Sequence, residues 1–124
     1  MGLELLHWPE DAARDAMRDA RWIFDGVAGT GIKGALRGTS LELAEAIAES
    51  SARVVAIDVP SGVGDEFAPG DPSVTAEVTV TMGLRKRSLY LPATRPLAGR
   101  IEVGDPGFPR TLYRDLGKSS LANI

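Results

Sequence analysis

The spacing of apolar positions changes along this chain, and each change marks an element. Between Pro9 and Arg21 the residues Ala12, Ala13, Ala16, Met17 and Ala20 recur three and four apart, the period of one helix face. Pro9 suits the opening of a helix, Glu10 and Asp11 its positive end, and Arg18 and Arg21 its negative end. Trp22-Ile23-Phe24 is then a short apolar run stopped by Asp25-Gly26, which predicts a buried strand ending in an acid. Thr39 and Glu42 have the spacing of a capping box at the head of a second helix running to about Ser50. Its expected buried face is Leu43, Ile47 and the alanines Ala44, Ala46 and Ala48. Val54-Val55-Ala56-Ile57 is continuously apolar and mostly β-branched, as strands covered on both faces are. It stops abruptly at Asp58-Val59-Pro60-Ser61-Gly62. Pro60 removes a backbone donor and Gly62 admits angles closed to other residues, so the chain must turn there.

Val63 to Ser73 is rich in glycine, proline and acids and predicts a loop. Val74 to Met82 alternates, with Val74, Ala76, Val78, Val80 and Met82 on one side and Thr75, Thr79 and Thr81 opposite, a third strand closed by Gly83. A basic cluster, Arg85-Lys86-Arg87, precedes Leu89-Tyr90-Leu91-Pro92 and a loop holding Pro96. Ile101 and Val103 mark a last short strand, broken by Asp105-Pro106-Gly107-Phe108-Pro109, and the tail from Leu116 reads as polar and frayed. A strand, loop, helix, strand unit is right-handed and parallel, which places Asp25 and Asp58 on one edge of the sheet. That edge, at the strands' carboxyl ends, is where open α/β sheets take their ligands.

Composition narrows the classes. The 124 residues make one domain or less, with 44% hydrophobic and 25% charged residues, and no apolar run nears the ~20 residues of a membrane span. A formal charge of −3 argues against broad attraction to nucleic acid or anionic lipid, so neither a membrane nor RNA is expected as a partner. Without cysteine there is no disulfide frame, thiolate nucleophile or cysteine-based zinc site. The opening Met1-Gly2-Leu3-Glu4-Leu5-Leu6 lacks the basic end and apolar core of a signal peptide, and a cytoplasmic protein is expected. His7 is the only histidine, which leaves little for imidazole chemistry.

Four groups could carry chemistry. Asp58 is either a functional carboxylate at the ligand-binding edge or a turn residue bonding its own backbone. Gly29, Gly31 and Gly34 have the G-x-G-x-x-G spacing of a dinucleotide loop, between a strand and a helix. The connection from Asp25 is longer than that motif's tight turn, Lys33 lacks the following Ser or Thr of a P-loop, and a plain flexible turn explains the glycines equally. Asp25 and Ser61 offer a carboxylate and a hydroxyl, oxygens that a hard cation accepts, although a structural turn would use them as well. Arg85, Lys86 and Arg87 form either a solvated rim or a grip on a phosphate backbone.

Taken together, Phe24-Asp25-Gly26-Val27-Ala28-Gly29-Thr30-Gly31, Val55-Ala56-Ile57-Asp58-Val59-Pro60-Ser61-Gly62 and Ala76-Glu77-Val78-Thr79-Val80-Thr81-Met82-Gly83 resemble the NAD(P)H-hydrate epimerase family, also called the YjeF N-terminal domain. Lys86, Leu91-Pro92, Ala98-Gly99 and Ile101 to Gly107 fall where that family carries a comparable loop and final strand, so the likeness runs over residues 22–109. The resemblance implies a Rossmann-like three-layer α/β/α sandwich with a mainly parallel sheet, which interconverts the C6 epimers of hydrated NADH or NADPH. It also implies that Gly29, Thr30, Gly31, Ile32, Lys33, Gly34, Ala35 and Asp58 meet this small dinucleotide substrate. Asp58 would then protonate the departing hydroxyl and steer water back, and Asp25 and Ser61 would help hold a potassium ion. The family also has an earlier half with an Asn-Asn-Gly-Gly-Asp type loop, which nothing here spells. Residues 1–124 therefore read as a single, incomplete domain, and a homo-oligomer or a second chain supplying the missing half is expected. A non-catalytic binding or dimerising module, associated with RNA through Arg85 to Arg87, is the competing reading.

Overall fold

The computed structural model describes residues 2–114, so the expected tail from Leu116 lies outside the described residues. Four strands, β1 (Trp22–Asp25), β2 (Arg53–Ile57), β3 (Val78–Met82) and β4 (Arg100–Gly104), form one sheet in sequence order, every neighbour parallel. The helices are α1 (Asp11–Asp19), α2 (Gly38–Glu49), α3 (Arg95–Ala98) and α4 (Arg110–Arg114), with a single 3-10 turn at Arg87–Leu89. This is the parallel α/β, Rossmann-like architecture expected. Register pairs Asp25 with Ala56, so β1 and β2 end together and Asp25 and Asp58 share the carboxyl edge.

Helix boundaries and caps depart from expectation. The second helix begins at Gly38, which puts Thr39 inside its first turn, and no side chain caps its amino end. The Glu42 carboxylate instead accepts the Trp8 indole N–H at 3.0 Å, tying the segment before α1 to α2. Ala44 and Ile47 are the buried residues of α2, whereas Ala48 is exposed.

The third strand starts at Val78 rather than Val74. Upstream, the Val74 N–H donates to the Ser61 carbonyl and the Ala76 N–H to Leu97, both at 2.8 Å, so this segment braces two loops instead of extending the sheet. Alternation within β3 is as read, but the enclosed side is the threonine side. Thr79 and Thr81 are fully buried, while Val78 and Val80 are half-buried and Met82 is exposed. Threonine tolerates this place because the Thr79 hydroxyl donates to the Ala98 carbonyl at 2.7 Å, which offsets the cost of burying it.

Two apolar clusters fill the covered side. Leu36, Ala44, Ile47, Val54, Ala56, Val74 and Ala76 pack under α2, with Met17 of α1 against them. Val59, Val63, Leu89 and Ala98 form the second, joined by Leu97 and Ile101. The opposite sheet face is open: Phe24 is 69% exposed, Ile57 43% and Met82 37%, beside half-buried Val55, Val78 and Val80. Parallel sheets bury both faces, so this face is one layer short. Among the described residues, no helix is long and apolar enough to cross a membrane.

Candidate functional site at the carboxyl edge of the sheet

Asp25 ends β1 and is completely buried. Its Oδ2 accepts the backbone N–H of Ser61 at 2.7 Å, and its Oδ1 accepts the Ser61 hydroxyl at 2.5 Å and the Val27 N–H at 3.3 Å. Ser61 is equally buried, and its Oγ also accepts the Ala28 N–H at 2.9 Å. The Ala28 carbonyl lies 3.3 Å from that same oxygen. Two residues 36 apart in sequence thus close one polar knot between the β1 loop and the β2 turn. Their carboxylate, hydroxyl and carbonyl are hard oxygen donors, a set suited to an alkali or alkaline-earth cation. Among the described residues, no cluster of three or more His, Cys, Asp or Glu side chains could hold a metal ion.

The glycine loop begins where this knot ends. Ile32 and Ala35 are half-buried and Leu36 is buried, so its far end is anchored in the core, while Gly29, Thr30, Gly31, Lys33 and Gly34 are exposed. A Cβ built on Gly29 or Gly31 would touch nothing within 4 Å, and neither has a positive φ. The protein's own packing and backbone therefore do not require glycine at these two positions. Gly62 differs: its φ is +95° and a Cβ would sit 2.4 Å from the Pro72 carbonyl oxygen.

Asp58 follows β2 with φ +74°, the only non-glycine residue with positive φ among those described. Such backbone strain persists where the surroundings over-determine it and concentrates at functional sites. The side chain does not bond its own turn, as the structural reading of this residue would have had it. It reaches across to β3 and beyond, where Oδ1 accepts the Met82 N–H at 3.0 Å and pairs with Lys86 Nζ at 2.5 Å. The Thr81 hydroxyl stands 3.5 Å from the same atom. Burial raises the affinity of this carboxyl for its proton. The Lys86 ammonium, the Met82 amide and Thr81 outweigh burial and hold the group below the usual carboxylate range. Asp58 makes no hydrogen bond to Asp25 or Ser61, so the edge carries two separate acidic centres.

Lys86 is the residue that sequence reasoning placed wrongly. Arg85 and Arg87 are exposed, as a solvated rim would be, but Lys86 between them turns inward. It lies 28 positions from Asp58, and no local pattern distinguishes the middle of a basic triplet.

A family model described as the YjeF-related protein N-terminus matches residues 2–88, a stretch that holds Asp25, the glycine loop, Asp58, Ser61 and Lys86. The chain belongs to the YjeF-related N-terminal family. An NAD(P)H-hydrate epimerase of Pirellula staleyi is 35% identical over 99 residues, covering 79% of this chain and 44% of the relative. One from Clavibacter michiganensis is 41% identical over 102 residues, 75% of this chain and 44% of the relative. A bifunctional NAD(P)H-hydrate repair enzyme of Pyrobaculum aerophilum is 39% identical over 123 residues, 98% of this chain and 24% of the relative. The matches thus span less than half the length of these relatives. For the YjeF-related chain this partial coverage agrees with a sheet that is open on one face.

Proposed function

We propose that this chain supplies the carboxyl-edge half of an active site that epimerises the C6 hydroxyl of hydrated NADH or NADPH. The observation that carries the reading is Asp58: a strained carboxylate on the same sheet edge as the glycine loop, with one oxygen fixed by three donors. Epimerisation passes through a cation at C6 when the hydroxyl leaves as water with a proton from solvent. Adding water to the other face returns that proton. A group held ionised suits the second half of this sequence better than the first. Asp58 favours the cation electrostatically and accepts the proton of the water that adds. In the reverse direction the same step has the protonated Asp58 return that proton to the leaving hydroxyl, the acid role expected from the sequence.

Gly29, Thr30, Gly31, Ile32, Lys33, Gly34 and Ala35 would line the dinucleotide, the bare Gly29 and Gly31 allowing its phosphates close to the backbone. Asp25, Ser61 and the Ala28 carbonyl would hold a potassium ion. That ion would add positive charge at the carboxyl edge of the sheet.

The open sheet face would be covered by the amino-terminal half of the family domain, the part that carries the Asn-Asn-Gly-Gly-Asp type loop. Support comes from matches spanning 44% of two epimerases and from the exposed Phe24 and Ile57. The test is interconversion of resolved NADPH-hydrate epimers by this chain together with that half, in potassium. A rate that falls about 100-fold or more in Asp58→Ala is expected. An equal rate in wild type and variant would overturn the role of Asp58, and no rate above the spontaneous one would overturn the function. A second copy on the same face would show as a homodimer that persists when the amino-terminal half is added.

A further inference from the structure

Three acceptors surround the Lys86 ammonium: Asp58 Oδ1 at 2.5 Å, Thr81 Oγ1 at 3.0 Å and the Met82 carbonyl at 3.2 Å. An ammonium has three protons, so each has an acceptor and the side chain is held in one place. The pair is not a loose surface contact, since Lys86 and Asp58 keep only 24% and 26% of their side-chain surface. One small core also fixes its two backbones. Leu89, in the turn that Lys86 opens, is fully buried against Val59 and Val63, the residues that follow Asp58. All the donors that reach the Asp58 carboxylate from described residues converge on Oδ1. Its Oδ2 accepts none among the described residues.

We propose that Lys86 is a positioning residue: it clamps Oδ1 of Asp58 so that Oδ2 alone, at a fixed angle, is presented to whatever binds at the carboxyl edge. Charge alone would not require this arrangement. Arg85 and Arg87 carry the same charge one residue away and face solvent, Arg85 donating to the Tyr90 hydroxyl at 2.7 Å. Lys86 and Met82, which both grip Oδ1, also line a hollow of about 390 Å³ with Leu84, Phe108 and Tyr113. The two groups that grip Oδ1 thus border a largely apolar recess. As a role in catalysis this rests on the epimerase reading. As a statement about Asp58 it does not.

The experiment has two arms, on Lys86→Met, which keeps the length and apolar stem, and Lys86→Arg, which keeps the charge. In the first arm the Asp58 carboxyl is titrated by carbon-detected NMR in this chain, its signal assigned with Asp58→Asn. The Asp58 midpoint moves up toward the usual carboxylate range in Lys86→Met and stays low in Lys86→Arg. A midpoint unmoved in Lys86→Met overturns the clamp whatever the enzyme assay gives. In the second arm the epimerase, completed by its amino-terminal half, is assayed across pH. We expect kcat to fall about 100-fold in Lys86→Met with KM nearly unchanged, from misplacement of one reacting oxygen. Lys86→Arg recovers part of that loss, because a planar fork cannot meet the same three acceptors. A kcat equal to wild type in Lys86→Met overturns the positioning role. If wild type itself does not epimerise, a shifted midpoint still supports the clamp and only the assigned reaction falls.

Discussion

Ser61 gives both its backbone N–H and its hydroxyl to the carboxylate of Asp25, at 2.7 and 2.5 Å, inside a site from which solvent is excluded. Ser61→Ala keeps the backbone N–H on Oδ2 but removes the hydroxyl from Oδ1 and leaves the Ala28 N–H without its acceptor. It is expected to destabilise the chain by about 1–3 kcal/mol, the cost of a polar group left unsatisfied, and Asp25→Ala by at least as much. Urea denaturation reads both. The double variant should cost clearly less than the sum, since the two share one network. Strict additivity would mean that the two residues act independently.

Glycines in the two loops should respond oppositely to the same substitution. Gly62→Ala forces a left-handed alanine whose Cβ meets the Pro72 carbonyl, and a loss of about 2 kcal/mol or more is expected in thermal or urea unfolding. Gly29→Ala and Gly31→Ala meet nothing and should change stability by less than about 0.5 kcal/mol. If the loop takes the dinucleotide, these silent variants weaken its binding in calorimetry.

Acid should act on the chain through Asp58. Its folded-state affinity for protons is depressed, so its contribution to stability is complete above the ordinary carboxylate pKa of about 4. That contribution is lost as pH falls through the lower, folded-state value. Wild type should therefore lose stability as pH falls below about 4 more steeply than Asp58→Asn does. Chemical denaturation at a series of pH values checks this, and parallel curves would contradict it.

The uncovered sheet face should behave as apolar surface. Phe24→Asp with Ile57→Glu should leave the stability of this chain within about 1 kcal/mol and lower its binding of an environment-sensitive apolar dye. The same double variant should abolish association with the amino-terminal half of the domain, measured by sedimentation. Retained association would place that half elsewhere.

Which parts of this were legible in the sequence follows from the range of the forces involved. The strands at Trp22, Arg53 and Arg100 and the helix at Gly38 announced themselves because apolar period and turn chemistry act within a few residues. Asp25 and Ser61 could be paired because a parallel β-α-β unit brings successive strand ends to one edge. Residues 74–76 and the capping-box spelling misled for the same reason in reverse. Contacts with Ser61, Leu97 and Trp8, distant along the chain, decided both.

By itself the sequence determined the parallel α/β class, the polar edge with its two acids and glycine loop, and the family likeness. Only tertiary structure decided that threonines, not valines, face the helices, that Asp58 is held as a carboxylate through one oxygen, and that Lys86 turns inward between two exposed arginines. Local propensity fixes the path of the chain, but burial and charge pairing depend on what arrives from elsewhere in it.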